Sequence, residues 1–266
     1  MSEKKIIDKK IYYVWIGNAK KPEIFYKCLE SWKKNLSDFE IIEINEKNFD
    51  MEKHLKKNRF FRECYEKKLW AYVSDYMRVH FMYENSGIYV DTDMEIIKDL
   101  TPILEEKISF FQNQKDKISK KMEFFIGYED KKHISVGIFG TTKHNEILKE
   151  IMEFYEADIW KKPIWTIPKI FTYVFEKKYN LSEKRENILK NGEIVIFPKE
   201  YFYPYGFKEV YSDDCIKPET YGIHWWNDSW SSLKARLFLE TKHLSGVKKL
   251  VKKMRIIARF YLKEKR

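Results

Sequence analysis

Apolar residues along the chain fall into two patterns, short continuous runs and longer stretches with a three-to-four-residue rhythm. The runs predict buried strands at residues 11–16, 39–44 and 88–90. The rhythm predicts helices at 22–34 and, most regularly, at 67–84. Because a strand, a helix and a strand follow one another at the N-terminus, this part of the chain is typical of a nucleotide-binding α/β half-domain.

The same patterns continue through the remaining residues without an internal repeat or a low-complexity linker. A broken helix is predicted over 47–66. The later predicted elements are strands at 94–97, 124–127, 134–140 and 193–197, a short helix from Pro102, and helices at 145–155 and 168–178. We therefore expect a Rossmann-like α/β domain over 1–233, with a mostly parallel central sheet flanked by helices, and a helical tail over 234–266.

The basic charge of the chain is concentrated in this tail. The 266 residues contain 51 Lys or Arg and 41 Asp or Glu, a formal net charge of +10. Residues 234–266 contain 12 Lys or Arg and 2 acidic residues, so the tail accounts for the whole excess. A neutral domain with a basic tail argues against nucleic acid as a partner and favours a specific surface for the tail.

The tail from Ser245 onward predicts a basic amphipathic helix. Its apolar positions share one helical face, and its basic positions lie largely elsewhere. Such a helix favours contact with an anionic membrane, and the alternative is a helix docked on the domain with a solvated basic face. We expect a protein on the inner, cytoplasmic face of the cell membrane.

The sequence pattern predicts neither a transmembrane helix nor a signal peptide. No run of about 18 apolar residues predicts a transmembrane helix, and the first residues do not read as a signal peptide. The three cysteines, Cys28, Cys64 and Cys215, lack the spacing of a zinc site or a disulfide framework. This cysteine usage favours a reducing compartment.

Two acidic residues follow the predicted strand at 88–90. If the segment stays extended, Asp91 and Asp93 project to the same side at the carboxyl edge of the sheet, where α/β proteins bind ligands. Together they could hold a divalent cation such as Mn²⁺ or Mg²⁺, which prefers oxygen ligands and commonly carries substrate phosphates. An isolated Asp-x-Asp is more often a solvated turn, so the pair needs support from elsewhere.

Two other groups of residues supply candidate partners. Asp75 and Arg78 lie three apart on the helix at 67–84, where they form an ordinary ion pair worth ~0.3 kcal/mol or together grip hydroxyls or a phosphate. Far downstream, His224 is a candidate third cation ligand. Ser229 and Trp230 follow it with O–H and N–H donors for phosphate oxygens, although such a Trp-rich segment is more often core.

Taken together, these motifs resemble a known family, the DXD-containing sugar transferases of glycosyltransferase family 32. The matching positions are Val14-Trp15-Ile16-Gly17, Cys28-x-x-Ser31-Trp32, Trp70-Ala71-x-x-Ser74-Asp75-x-x-Arg78, Tyr83-x-x-x-Gly87-Ile88-Tyr89-x-Asp91-x-Asp93 and His224 to Trp230. That family includes bacterial capsular polysaccharide enzymes and is similar at these motifs to toxin glucosyltransferase domains. One departure is Ser86, where the family usually has a glycine.

The resemblance implies a GT-A fold, a nucleotide-sugar donor, a divalent cation and retention of anomeric configuration. It assigns Val14, Trp15, Asn48 and Ser74 to donor binding, with Trp15 against the nucleobase. The resemblance also implies that Asp75 and Arg78 hold the donor sugar, that Asp91 contacts the ribose and the metal, and that Asp93 binds the metal. His224, Ser229 and Trp230 would close over the metal and the diphosphate. Asp75, Arg78, Asp91 and Asp93 are the expected catalytic residues.

These expectations combine into one function and two alternatives. The favoured function is transfer of a sugar, most simply from a UDP-sugar, to a saccharide acceptor that is lipid-linked, in bacterial capsule or other surface polysaccharide synthesis. The first alternative is a toxin-like enzyme that glycosylates a protein. The second is a non-catalytic basic module that binds membranes, in which the Asp pair is only structural.

Overall fold

A computed structural model of the chain describes residues 6–17, 19–113, 115–130, 133–161, 166–181, 187–227 and 233–263. Its strands are β1 (Lys10–Val14), β2 (Glu40–Ile44), β3 (Gly87–Val90), β4 (Met94–Ile96), β5 (Phe124–Tyr128), β6 (Ile134–Thr141), β7 (Ile188–Leu189), β8 (Ile194–Phe197) and β9 (Gly222–His224). Its α-helices are α1 (Glu23–Asn35), α2 (Met51–Lys57), α3 (Arg59–Glu66), α4 (Trp70–Glu84), α5 (Thr101–Leu104), α6 (Ser109–Gln112), α7 (Glu146–Ala157), α8 (Ile167–Tyr179), α9 (Leu233–Leu239) and α10 (Gly246–Lys263).

Seven of these strands form the central sheet, in the order β2-β1-β3-β6-β5-β8-β7. β1 is parallel to both β2 and β3, and β5 is parallel to β8, whereas β6 and β7 run the other way. Five of the seven strands therefore share one direction, which confirms the predicted α/β class with a mostly parallel sheet. Their carboxyl ends lie along one edge, and residues 91, 129 and 198 follow three of them there.

Both faces of the sheet are covered, which explains the continuous apolar runs. Tyr12 and Val14 of β1 point into a core shared with α4, α7 and α8, whereas Ile11 and Tyr13 point into a second core with α1 and β4. Neighbouring residues on a strand project to opposite faces, so a strand buried on both sides must be apolar throughout.

The predicted βαβ unit and the long helix are present, and β3 lies beside β1 as that unit requires. Gly87 begins β3 with a φ of +144°, and a Cβ there would lie 2.9 Å from the Lys10 carbonyl oxygen. The preceding Ser86 donates its hydroxyl to the Ile6 carbonyl (2.8 Å) and accepts from the Asp8 N–H (3.0 Å). The serine that departs from the family pattern thus ties the N-terminal segment to the start of β3.

The broken helix at 47–66 is also present, because Asn58 separates α2 from α3. Its side chain accepts from the Phe61 N–H at 2.9 Å and caps the second helix. The sequence pattern did not predict three short elements, namely α6, β7 and β9, whereas α9 falls in the predicted helical tail.

The C-terminal helices pack on the same body. Phe238 of α9 lies against Phe60 of α3, with ring centroids 6.2 Å apart, and Leu239 and Thr241 are fully buried. Among the described helices, none combines the length and the apolar character needed to cross a membrane. The division of the chain at residue 233 stays a prediction.

Candidate active site

The acidic pair occupies a tight turn between β3 and β4. The Asp91 N–H donates to the Gly137 carbonyl of β6 at 2.7 Å, and the Met94 N–H donates back to the Asp91 carbonyl at 3.0 Å. The expected extended geometry is therefore wrong for this segment, because the chain reverses over 91–94 to start β4. The two carboxylates nevertheless converge.

A two-stranded ribbon brings His224 to the pair. β4 and β9 are antiparallel, and Met94 is the register partner of His224. The His224 Nε2 atom lies 3.2 Å from Oδ1 of Asp93 and 3.8 Å from Oδ2 of Asp91. One ligand atom from each of the three predicted cation ligands falls within 4.8 Å of the others.

Protein groups hold the other oxygen of each carboxylate. Oδ2 of Asp93 accepts the Asn227 N–H at 2.8 Å. Oδ1 of Asp91 accepts from Arg78 Nη1 at 2.9 Å and from the Tyr89 hydroxyl at 3.0 Å. Oδ2 of Asp91 and Oδ1 of Asp93, which face the imidazole, are thus the oxygens that could bind a further ligand.

This donor set fits a hard divalent cation. Two carboxylate oxygens and one imidazole nitrogen suit Mn²⁺, and suit Mg²⁺ less well because of the nitrogen. Three side chains fill about half of a six-coordinate shell. The remaining positions would be available to diphosphate oxygens.

Asp93 and His224 shift each other's pKa. Burial disfavours the charged form of Asp93, but the nearby His224 and the Asn227 N–H outweigh it and lower the pKa of Asp93. Burial likewise disfavours protonation of His224, but Asp93 and Asp91 outweigh it and raise the pKa of the imidazole. Because a cation binds the neutral imidazole, its binding competes with the protonation that the two carboxylates favour.

Arg78 connects the acidic turn to α4. Its Nη2 lies 3.0 Å from Oδ1 of Asp75 and 3.3 Å from the Ser74 hydroxyl, while Nη1 also donates to the Val136 carbonyl at 3.2 Å. The guanidinium is buried and lies over the Tyr89 ring, 4.5 Å from its centroid. The pair of Asp75 and Arg78 is therefore more than an intrahelical ion pair, because the same guanidinium also holds Asp91.

Asp75 is unusual among the carboxylates of the site. Burial raises its pKa to about 7, although Arg78 acts in the opposite direction. Its side chain is 13% exposed. The group thus stands near the midpoint of its titration at neutral pH.

The residues assigned to the nucleotide side lie at the ends of β1 and β2. Val14 is buried, and Trp15 follows it, half-buried, with its indole N–H on the Ala19 carbonyl at 3.2 Å. Asn48 shapes its own loop by accepting from the Asn45 N–H and donating to the Glu43 carbonyl. Contacts of these residues with a donor stay predictions.

Some assigned residues lie outside the structure, and others were missed. Ser229 and Trp230 fall outside the described residues. Tyr89 and the Asn227 N–H were not predicted to hold the carboxylates. Tyr89 could have been found, because it lies two residues before Asp91 on the strand that leads into the turn, whereas a backbone N–H has no sequence signature.

Known proteins match the same part of the chain. Residues 22–110, which include the Asp91-Thr92-Asp93 turn, match the family model described as glycosyltransferase sugar-binding region containing DXD motif. Human lactosylceramide 4-alpha-galactosyltransferase is 26% identical over 176 residues, which cover 61% of this chain and 43% of that protein. Human alpha-1,4-N-acetylglucosaminyltransferase is 26% identical over 168 residues, which cover 59% and 43%.

The chain thus spans less than half the length of these two curated relatives. Among solved structures, PaToxG glycosyltransferase superposes with a TM-score of 0.48 at 16% identity, over 68% of this chain and 73% of that one. A glycosyltransferase involved in glycosylation of the major capsid of PBCV-1 superposes with a TM-score of 0.42 at 14% identity, over 83% and 95%. The match over residues 22–110 and the similarity to these transferases confirm the predicted resemblance of this chain to the DXD-containing glycosyltransferases.

Proposed function

We propose that this protein is a retaining, metal-dependent glycosyltransferase that moves a sugar from a UDP-sugar to a saccharide acceptor. The observation that carries the proposal is the convergence of Asp91, Asp93 and His224 at the carboxyl edge of the sheet. Each carboxylate is held by one oxygen and offers the other. That arrangement is what a cation-bound diphosphate requires.

The cation would be held by Asp91, Asp93 and His224, and when bound it would neutralise the charge that develops on the leaving diphosphate. The other residues of the site position groups around it. Arg78 fixes Asp91 in place, and burial raises the pKa of Asp75 to about 7 although the same guanidinium lies beside it. Asp75 is then suited to hydrogen-bond sugar hydroxyls as donor or acceptor.

Retention is supported by the names of the relatives. The names of both human relatives describe transferases that form α linkages. Common UDP-hexose donors are themselves α-linked. We assign no nucleophilic residue, so the acceptor hydroxyl attacks from the face that the diphosphate leaves and the diphosphate takes its proton. A β-linked product from an α-linked donor, or a trapped covalent glycosyl-enzyme, would contradict this part of the proposal.

The proposed acceptor is a lipid-linked saccharide. One relative acts, by its name, on lactosylceramide, a saccharide attached to a lipid. This supports a lipid-linked saccharide as acceptor here. The resemblance to capsule-synthesis enzymes of family 32 supports a role in bacterial surface polysaccharide synthesis.

The test is release of UDP from a panel of UDP-sugars by the purified protein, with Mn²⁺ and after chelation. We expect release that requires the metal and that His224→Ala reduces at least about 100-fold, since removing even a group that only orients a metal ligand costs 10–100-fold. His133→Ala is the matched control, since His133 also lies beside a carboxylate. Metal-independent release, or equal loss in both variants, would refute the proposal.

A further inference from the structure

The last helix, α10, turns an apolar ridge toward solvent. Val247, Leu250, Met254 and Ile257 are exposed to 77, 59, 53 and 37%. Their spacing of three or four residues places them on one side of the helix. No described residue covers this ridge.

The opposite side of α10 attaches it to the protein. Ile256 is 3% exposed, half a turn away from the ridge, and Lys252 forms an ion pair with Glu240 at 3.3 Å. A helix that merely docked through its apolar face would bury the ridge and expose the basic side. In the structure the ridge is exposed instead, so α10 is attached through Ile256 and not through its most apolar face.

A row of exposed cations runs along α10, roughly 140° around the helix axis from the middle of the ridge. Lys248, Arg255 and Arg259 are exposed and recur at seven- and four-residue spacing, which aligns them along the helix. An occupant of this surface must therefore be apolar opposite the ridge and anionic opposite the cations. The boundary between acyl chains and headgroups of an anionic bilayer has this layered chemistry.

We propose that α10 lies in the interface of an anionic lipid bilayer, with the ridge among the acyl chains and the exposed cations at the headgroups. A second copy of the chain fits less well, because a two-fold contact along the ridge would bring two basic helices together. This inference is independent of the proposed sugar transfer, since none of its residues belongs to the active site.

The test is co-sedimentation of the full chain with phosphatidylcholine vesicles, with and without phosphatidylglycerol. We expect at least tenfold stronger binding to the anionic vesicles, weakened by added salt. Replacing Leu250 and Met254 together by Ser should reduce binding by at least tenfold, because apolar insertion is lost. Val210→Ser is its control, because Val210 is 92% exposed but lies outside the tail.

The charge contribution has its own matched pair of variants. Changing Lys248, Arg255 and Arg259 to Gln should weaken binding about 100-fold, at about 1 kcal/mol per charge. The control changes Lys20, Lys33 and Lys34 to Gln, which removes the same charge from exposed positions elsewhere. We expect the control to alter binding less than about threefold, as general attraction between net charges is screened.

Three outcomes would overturn the inference. They are equal binding to neutral and anionic vesicles, equal weakening by the two charge variants, and a wild-type dimer in sedimentation velocity that the Leu250 and Met254 variant dissociates. Release of UDP in solution should persist in all tail variants and so report that they are folded. If the wild type releases no UDP, circular dichroism replaces that check and the vesicle result still decides the inference.

Discussion

Two groups of residues at the sheet edge have the same chemical composition and different surroundings. Asp91, Asp93 and His224 form one group, and the described residues Glu129, Asp130 and His133 form the other; each brings two carboxylates and one imidazole within 4.8 Å. The first is mostly buried and draws on β3, β4 and β9. The second is one hairpin turn after β5, in which the Asp130 and His133 side chains are 53 and 46% exposed.

The difference lies in what occupies the ligand atoms. In the hairpin, Asp130 accepts the His133 backbone N–H at 2.8 Å and lies 2.9 Å from the His133 ring nitrogen, so these partners of the carboxylate come from the same turn. In the buried group, outside partners hold one oxygen of each carboxylate and leave the other facing His224. A donor set becomes a cation site when its surroundings fix the ligands without using them up.

The largest expected effect separates the two groups directly. Asp93→Ala should abolish Mn²⁺-dependent stabilisation by UDP and lower turnover at least about 100-fold, because a ligand is lost. Asp130→Ala should change the Mn²⁺-dependent stabilisation and the turnover by less than about twofold each. Thermal unfolding with UDP and Mn²⁺ measures the first quantity, and equal losses in the two variants would show that the comparison is wrong.

A smaller effect is expected when the support of the buried group is loosened. Arg78→Lys keeps the charge but cannot bridge Asp75 and Asp91. The free energy of unfolding, measured with urea, should therefore fall by about 1–3 kcal/mol. The affinity for Mn²⁺ should fall about tenfold or more because Asp91 is no longer fixed. Arg59→Lys, in an exposed pair with Glu63, is the control. Unchanged Mn²⁺ affinity in Arg78→Lys would mean that Asp91 needs no bridge.

The smallest effect tests one hydrogen bond. Tyr89→Phe removes the hydroxyl that donates to Asp91 but keeps the ring under Arg78. Mn²⁺ affinity, measured by titration calorimetry, should fall about tenfold or less. Tyr211→Phe removes a hydroxyl bonded to the exposed Asp213 and should leave the affinity unchanged. If Tyr89→Phe lowers the Mn²⁺ affinity more than Arg78→Lys does, the Tyr89 hydroxyl contributes more than Arg78 to fixing Asp91, contrary to this prediction.

Much of the frame of the site was predictable because it is local in sequence. Continuous apolar runs predicted β1, β2 and β3, and the rhythm of 67–84 predicted α4, which carries Asp75 and Arg78. The strand that ends before Asp91 follows from residues within one short window. Each of these patterns reflects which side chains are buried, and buried positions are recognisable in the sequence as apolar residues.

The remainder depends on partners that the sequence does not specify. The turn over 91–94 forms because β4 returns to pair with β9, and three residues of β9 give too short a pattern to predict. The outward ridge of α10 could not be predicted either. Helical periodicity shows that an apolar face exists, but the side that packs is decided by what the domain presents to it.

The closure of Asp93 by Asn227 joins residues 134 positions apart in the chain. Contacts of such separation form late in folding, because a long loop must be ordered first. During synthesis, a ribosome that has released residues 22–110 has released both aspartates but not His224. The proposed cation site is therefore completed only after all seven strands of the central sheet have been made, because β9 follows them in the chain.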